Sequence, residues 1–309
     1  MKKILFRLLL TFAFIGLLAA GFYFFEASTF PQQGEQSQVD FYTSPPPPDS
    51  LSFAGEPVPL GYFDVRENLE RELLVNTYFH SQTLRYLKLL PRYFSIIEPI
   101  LIQEEVPIDF KYLALAESGF NARVISPAGA VGIWQFMKGT ATDYGLEVTA
   151  EVDERYHLGM ATHAVCRYLK DSHKKYGNWT LVAASFNGGR RFVDRMMSIQ
   201  QEQNYYDLLL GEETERYVFR ILTLKMIMEN PEAYGFHVAD NEKYPLWKTT
   251  TMEVNKAIPD LALFAKEHGT SYKILKMLNP WLRESFLTNA KGKTYTIQIP
   301  DKNFRTLKN

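Results

Sequence analysis

The chain has 309 residues, 46% hydrophobic and 22% charged, a globular composition long enough for two domains. Thirty-four Lys plus Arg against 35 Asp plus Glu give a formal charge of -1, so no basic field advertises a nucleic-acid partner. The single cysteine, Cys166, excludes an intramolecular disulfide and a Cys-based zinc site, and its neighbours Val165, Tyr168 and Leu169 read as a packed helix.

Lys2, Lys3 and Arg7 precede an uncharged run from Leu8 to Phe25. Such a run reaches the lower limit for a helix spanning about 30 Å of hydrocarbon, and its basic flank favours a cytoplasmic N-terminus. Leu18-Ala19-Ala20-Gly21 resembles a signal-cleavage region, but Phe22-Tyr23-Phe24-Phe25 prolongs the apolar run. This run is read as an uncleaved membrane anchor over 1–28, with the remainder exported. Phe22 stands where a lipoprotein would carry Cys, which argues against lipid attachment. Residues 29–60, rich in Gln, Ser and Pro and including Pro45 to Pro48, read as an extended tether.

Residues 61–245 carry apolar positions at helical spacing and predict an all-α domain. Leu69, Leu73, Leu74 and Tyr78 form one stripe; Tyr217, Ile221, Leu224 and Met228 form another, closed by Pro231. Residues 246–309 change character. Thr249 to Val254 and Tyr295 to Ile299 read as strands, with two short helices between them bounded by Pro259, Gly269, a Thr270 or Ser271 cap and Asn279-Pro280. The whole is therefore mainly α, with a small β-α-α-β C-terminal module.

Three segments could carry chemistry. Phe110, Leu113 and Ala114 define the buried stripe of a helix on which Glu117 is the next member, with Gly119 as its stop. Burial and the negative helix end both disfavour an ionised carboxylate, which suits a general acid; the competing reading is a frayed-end Glu paired with Arg123. Ser126 to Gly132 is a loop of small residues followed by Trp134 and Gln135, an apolar face and an amide that suit a sugar. The alternative is a tight turn entering a core helix. Asn187, before Gly188-Gly189, reads as a capping residue or a ligand contact. No metalloprotease, phosphate-loop or nucleophile-elbow motif occurs, and His157 and His163 do not share a helical face, so neither metal nor cofactor is implied.

Taken in order, Tyr112 to Phe120, Ser126 to Phe136, Val152 to Arg155, Ala184 to Gly189, and Glu213-Thr214 with Tyr217-Val218 resemble the successive motifs of the lysozyme-like lytic transglycosylases. The resemblance implies a lysozyme-like (goose-type/SLT) helical domain acting on peptidoglycan glycan strands. The bond broken would be the β-1,4 link between N-acetylmuramic acid and N-acetylglucosamine, leaving a 1,6-anhydro end without a metal. It makes Glu117 the acid/base and assigns Ser118, Gln135, Asn187, Glu213 and Tyr217 to substrate binding. Three positions depart from the family pattern: Phe186 replaces Tyr, Phe219 replaces Pro, and His157 stands where Asp-Pro is common. The tail resembles a LysM module without its opening Gly-Asp-Thr-Leu, leaving glycan binding and a structural cap both open. A non-catalytic peptidoglycan-binding protein and a goose-lysozyme-like hydrolase are the alternatives; protein partners are not legible.

Overall fold

The computed structural model describes residues 43–306; the expected anchor and the start of the tether lie outside them. Among the described residues no helix is long and apolar enough to cross a membrane. The elements are β1 (Ser52–Phe53), β2 (Glu56–Pro57), α1 (Phe63–Tyr78), α2 (His80–Gln103), α3 (Lys111–Ser118), α4 (Lys138–Asp143), α5 (Leu158–Tyr176), α6 (Trp179–Gly188), α7 (Arg190–Gln200) and α8 (Glu212–Glu229). The tail adds β3 (Thr249–Val254), α9 (Leu261–Glu267), α10 (Tyr272–Leu278) and β4 (Tyr295–Pro300).

Helix α8 is the centre of the main domain. Its expected stripe of Tyr217, Ile221, Leu224 and Met228 is buried, but so are Val218, Phe219, Leu222 and Ile227 on other faces. A helix apolar on most sides must be enclosed, and α8 is packed against α1, α3 and α6. The stripe of α1 differs from the expected one: Val65, Leu69, Glu72 and Leu73 are buried, whereas Leu74 and Tyr78 are exposed. The charged Glu72 thus occupies an inward position that an apolar count passes over. Cys166 is buried on α5, and desolvation pushes its thiol up to about 12, so it is a packing residue.

The end of the proline-rich segment is built into the domain rather than tethered beside it. Ser52 and Phe53 pair antiparallel with Glu56 and Pro57. Phe53 is fully buried against Phe110, their centroids 5.3 Å apart. Ala54 N–H donates to the Asp109 carboxylate (2.8 Å), which also meets Lys225 Nζ at 2.7 Å. The Glu56 carboxylate accepts from the first amides of α6, Trp179 (2.6 Å) and Thr180 (3.1 Å). That placement satisfies donors that a helix start leaves open.

The tail forms as its turn residues predict. Asp260 caps α9, Gly269 (φ 68°) ends it, and Ser271 caps α10. Strands β3 and β4 pair antiparallel with Thr249 opposite Pro300 and Val254 opposite Tyr295. Asn279 does more than stop a helix. Fully buried, it donates to Leu275 O (2.9 Å) and Gln298 O (2.8 Å) and accepts from Gln298 N–H (2.8 Å), pinning α10 to β4. Leu261, Trp281, Leu282 and Ile297 share one core with Val131, Val152 and Tyr156 of the main domain. Backbone bonds from Asp153 N to Trp281 O (2.9 Å) and from Arg283 N to Glu151 O (2.7 Å) seal the contact.

Candidate active site

The site begins with the stop of α3. A 3-10 turn over Ile108–Phe110 leads into the helix, whose Tyr112, Leu113, Ala114 and Leu115 are buried. Gly119 adopts φ 54° and its N–H returns to Leu115 O at 2.8 Å. A Cβ there would lie 2.7 Å from the Tyr86 ring, so both the conformation and the approach of α2 require glycine. Arg85 Nη1 also donates to Gly119 O (2.9 Å). The short helix therefore ends at a fixed point, one turn beyond its last buried leucine, with Glu117 aimed at α8.

Glu117 meets no arginine directly. Its partner is Tyr217, whose hydroxyl donates to Glu117 Oε1. The residue as a whole is half-buried, yet protein surrounds its carboxyl, and desolvation pushes its pKa up to about 7. The Tyr217 hydrogen bond and the charge of Arg220 oppose that rise, while Glu213 adds to it. The same enclosure and the neighbouring Glu117 hold the Tyr217 phenol well above its ordinary range, so it stays a hydrogen-bond donor.

A charged network lies behind this pair. Glu72, 1% exposed, meets Arg216 Nε at 2.6 Å and Arg220 Nε at 3.6 Å. Arg220 also binds the exposed Glu213 through two contacts of 2.8 and 3.4 Å. Neither arginine was legible as part of the site. The signal that could have found Glu72 is the one that flagged Glu117, a carboxylate in phase with an apolar stripe.

Of the remaining expected site residues, Glu213 and Asn187 converge on the start of α8. Asn187 lies inside the last turn of α6 rather than capping it, and its Oδ1 accepts from Thr214 Oγ1 at 2.8 Å. Ser118 sits beside Glu117 but its hydroxyl bonds back to Ala114 O (3.2 Å). Gln135 is turned into its own loop: at φ 47° its amide nitrogen donates to Gly132 O (2.8 Å) and Val124 O (3.3 Å). Among the described residues no hydrogen bond joins Ser118 or Gln135 to Glu117.

Other expectations need correcting. Trp134 offers no face to a sugar; it is fully buried and its indole N–H donates to Thr162 Oγ1 at 2.9 Å. Its loop enters no helix directly but folds on Val131, which bridges Ile125 and Phe136. The close approach at Gly132 is to the chain itself, since a Cβ there would lie 2.3 Å from Arg155 O. Arg155, in a buried pair with Asp153 (2.8 Å), donates to Gly129 O (3.2 Å) and Phe136 O (3.1 Å) and so clamps the loop. Arg123 makes no ion pair with Glu117. Phe186 is half-buried, stacked on Phe136 with centroids 5.9 Å apart and edge-on to Tyr168 at 5.5 Å.

A small helical domain that presents an enclosed carboxylic acid on a helix end, with a small α/β module docked on it, is matched by two family models. The transglycosylase SLT domain covers residues 96–209, and the soluble lytic transglycosylase C-terminal LysM-like domain covers residues 250–303. Both models describe lytic transglycosylases, so two separate parts of the chain are similar to that family. It is 27% identical over 286 residues to the membrane-bound lytic murein transglycosylase D of Escherichia coli K12, an alignment covering 90% of this chain and 61% of that protein. A putative tributyltin chloride resistance protein of an Alteromonas species is 29% identical over 97 residues, 31% of this chain and 47% of that protein. Among solved structures, the 70 kDa soluble lytic transglycosylase of Escherichia coli aligns over 50% of this chain and 27% of its own, with TM-score 0.39 and 20% identity. The chain spans about three fifths of the length of the murein transglycosylase relatives it matches. The SLT match contains Glu117, Ser118, Gln135 and Asn187, whereas Tyr217, Glu213 and the Glu72 network lie outside it.

Proposed function

We propose that this chain cleaves the β-1,4 bond between N-acetylmuramic acid and N-acetylglucosamine in peptidoglycan without consuming water. The observation that carries this reading is Glu117 itself, an enclosed carboxylic acid whose pKa is raised to about 7 and whose partner is a neutral phenol. Protonated, it donates to the leaving glycosidic oxygen; the resulting carboxylate is held by the Tyr217 hydroxyl and the nearby Arg220 charge. It then takes the proton of the muramic 6-hydroxyl as that oxygen attacks C1, closing a 1,6-anhydro ring. The acetamido group can share the positive charge at C1 between these steps. One carboxyl thus serves as acid and as base, and its proton inventory is restored.

Asn187 spends its carbonyl on Thr214, which leaves its amide hydrogens for a sugar hydroxyl. Gln135 has the opposite balance, its amide hydrogens committed to the loop and its carbonyl remaining as an acceptor. Ser118 and the exposed Glu213 complete the assignment to substrate binding. We assign residues 61–245 to catalysis, extended forward to the β1–β2 hairpin, and residues 246–309 to a docked LysM-like module. Residues 8–25 would hold the chain in the membrane with these parts on the periplasmic side.

Digestion of purified sacculi by the full chain, read by mass spectrometry, tests the reading. Anhydro-muramic ends are expected. Reducing ends would assign a hydrolase, and intact glycan would assign a binding protein; either overturns the proposal.

A further inference from the structure

A cavity of about 540 Å³ lies away from Glu117, where α2 of the main domain faces the tail. Its walls include Tyr93, Trp247 and Trp281, and four cations line it: Arg85, Arg92, Arg123 and Lys276. No Asp or Glu contributes to the lining. None of the four cations forms an ion pair among the described residues, although the chain as a whole is nearly neutral. Their existing contacts are to carbonyls and rings. Arg92 donates to Pro245 O (3.1 Å) with its guanidinium 4.5 Å from the Trp247 ring centre. Lys276 donates to Leu282 O and Glu284 O, and desolvation lowers its pKa. Arg85 holds Gly119 O.

Uncompensated cations along one partly apolar wall favour an anion, and a volume in this range takes a small ligand. Neutral glycan would use the rings but leave the charges unanswered. A short peptide with free carboxylates answers both. The lining includes Phe120 to Arg123, the segment that starts three residues after Glu117, and Phe120 is itself stacked on Tyr93 at 4.7 Å. One wall of the cavity is therefore the segment that leaves the acid, and an extended peptide covers about 3.3 to 3.6 Å per residue.

Resting on the glycan-cleaving reading above, we propose that this cavity binds the free carboxylates of the peptide stem carried by the muramic residue, so that the chain recognises peptide-bearing strands. Arg123 is the residue to change, since it is exposed and makes no ion pair. The full chain is titrated with a soluble stem tetrapeptide bearing free carboxylates, and with its fully amidated form, following the fluorescence of Trp247 and Trp281. Saturable binding of the free acid is expected, weakened about tenfold by Arg123→Gln, further by Arg123→Glu, and by amidation. Arg92→Gln is expected to act in the same direction, its melting temperature measured alongside because Arg92 also supports Trp247.

Absence of binding, or equal binding of acid and amide, would overturn the site. So would equal affinity in wild type and Arg123→Glu. A second arm compares cleavage of peptide-bearing and peptide-stripped strands. Arg123→Glu should raise KM on the former and leave the latter unchanged; equal effects on both contradict the proposal. If neither strand is cleaved by wild type, the glycosidic reading fails, while the titration still decides the cavity.

Discussion

Two glutamates face α8 from different helices, and their environments separate two uses of a buried carboxylate. Glu72 on α1 meets the guanidiniums of Arg216 and Arg220 and forms an ion pair inside the helix seam. Glu117 on α3 meets a phenol, and the cation acting on it is Arg220, already shared between Glu72 and Glu213. Enclosure is common to both, so the partner decides the outcome. Arginine makes a structural ion pair with its carboxylate, whereas tyrosine supports a carboxyl that can hold or release a proton near neutral pH.

The largest expected effect breaks the chemical half of this contrast. Glu117→Gln keeps the shape of the side chain and should lower turnover on sacculi by at least about 100-fold with the fold intact, measured by release of soluble fragments and circular dichroism. Glu72→Ala breaks the structural half. It removes the buried partner of two half-buried arginines, which keep only the exposed Glu212 and Glu213, and should lower Tm by several degrees. A Tm within a degree of wild type would remove the distinction.

A pH series sharpens it. The Glu117 pKa rises from the ordinary glutamate value of 4.5 to about 7 on folding, so the native state holds its proton longer than the unfolded chain. Its contribution to stability is complete below 4.5 and lost as pH rises to about 7. Glu117→Gln removes this dependence, so its Tm relative to wild type should climb from pH 4 to pH 7 and then level. Tyr217→Phe is a smaller change. Removing a hydroxyl that stabilises the carboxylate should move the alkaline limb of kcat/KM upward in pH, and a downward move would contradict the hydrogen bond as assigned. The smallest effect is expected for Phe186→Tyr. The ring sits among Phe136 and Tyr168 rather than against Glu117, so the cleavage rate should change by less than about twofold.

Much of this was legible because local rules produced it. Glu117 could be found from the phase of one short helix and the glycine that ends it, and the tail's helices from Pro259, Gly269 and Ser271. What escaped depends on distance along the chain. Glu72 and Arg216 are 144 residues apart, and no helical periodicity announces their pairing. The β1–β2 hairpin escaped for another reason: it follows a proline run and has one deeply buried anchor, Phe53, so composition hid a segment that Asp109 and α6 hold in place. Trp134 and Gln135 show the limit of residue type as a guide. An indole and an amide suit a sugar, but here the indole serves the core and the amide hydrogens serve the loop.

The contrast rests on one proton, and the direct measurement is a ¹³C NMR titration of the Glu117 side-chain carboxyl, assigned by loss of its signal in Glu117→Gln. A midpoint near 7 is predicted, above the range of exposed glutamates in the same spectra. A midpoint at or below about 4.5, the ordinary glutamate value, would contradict the account.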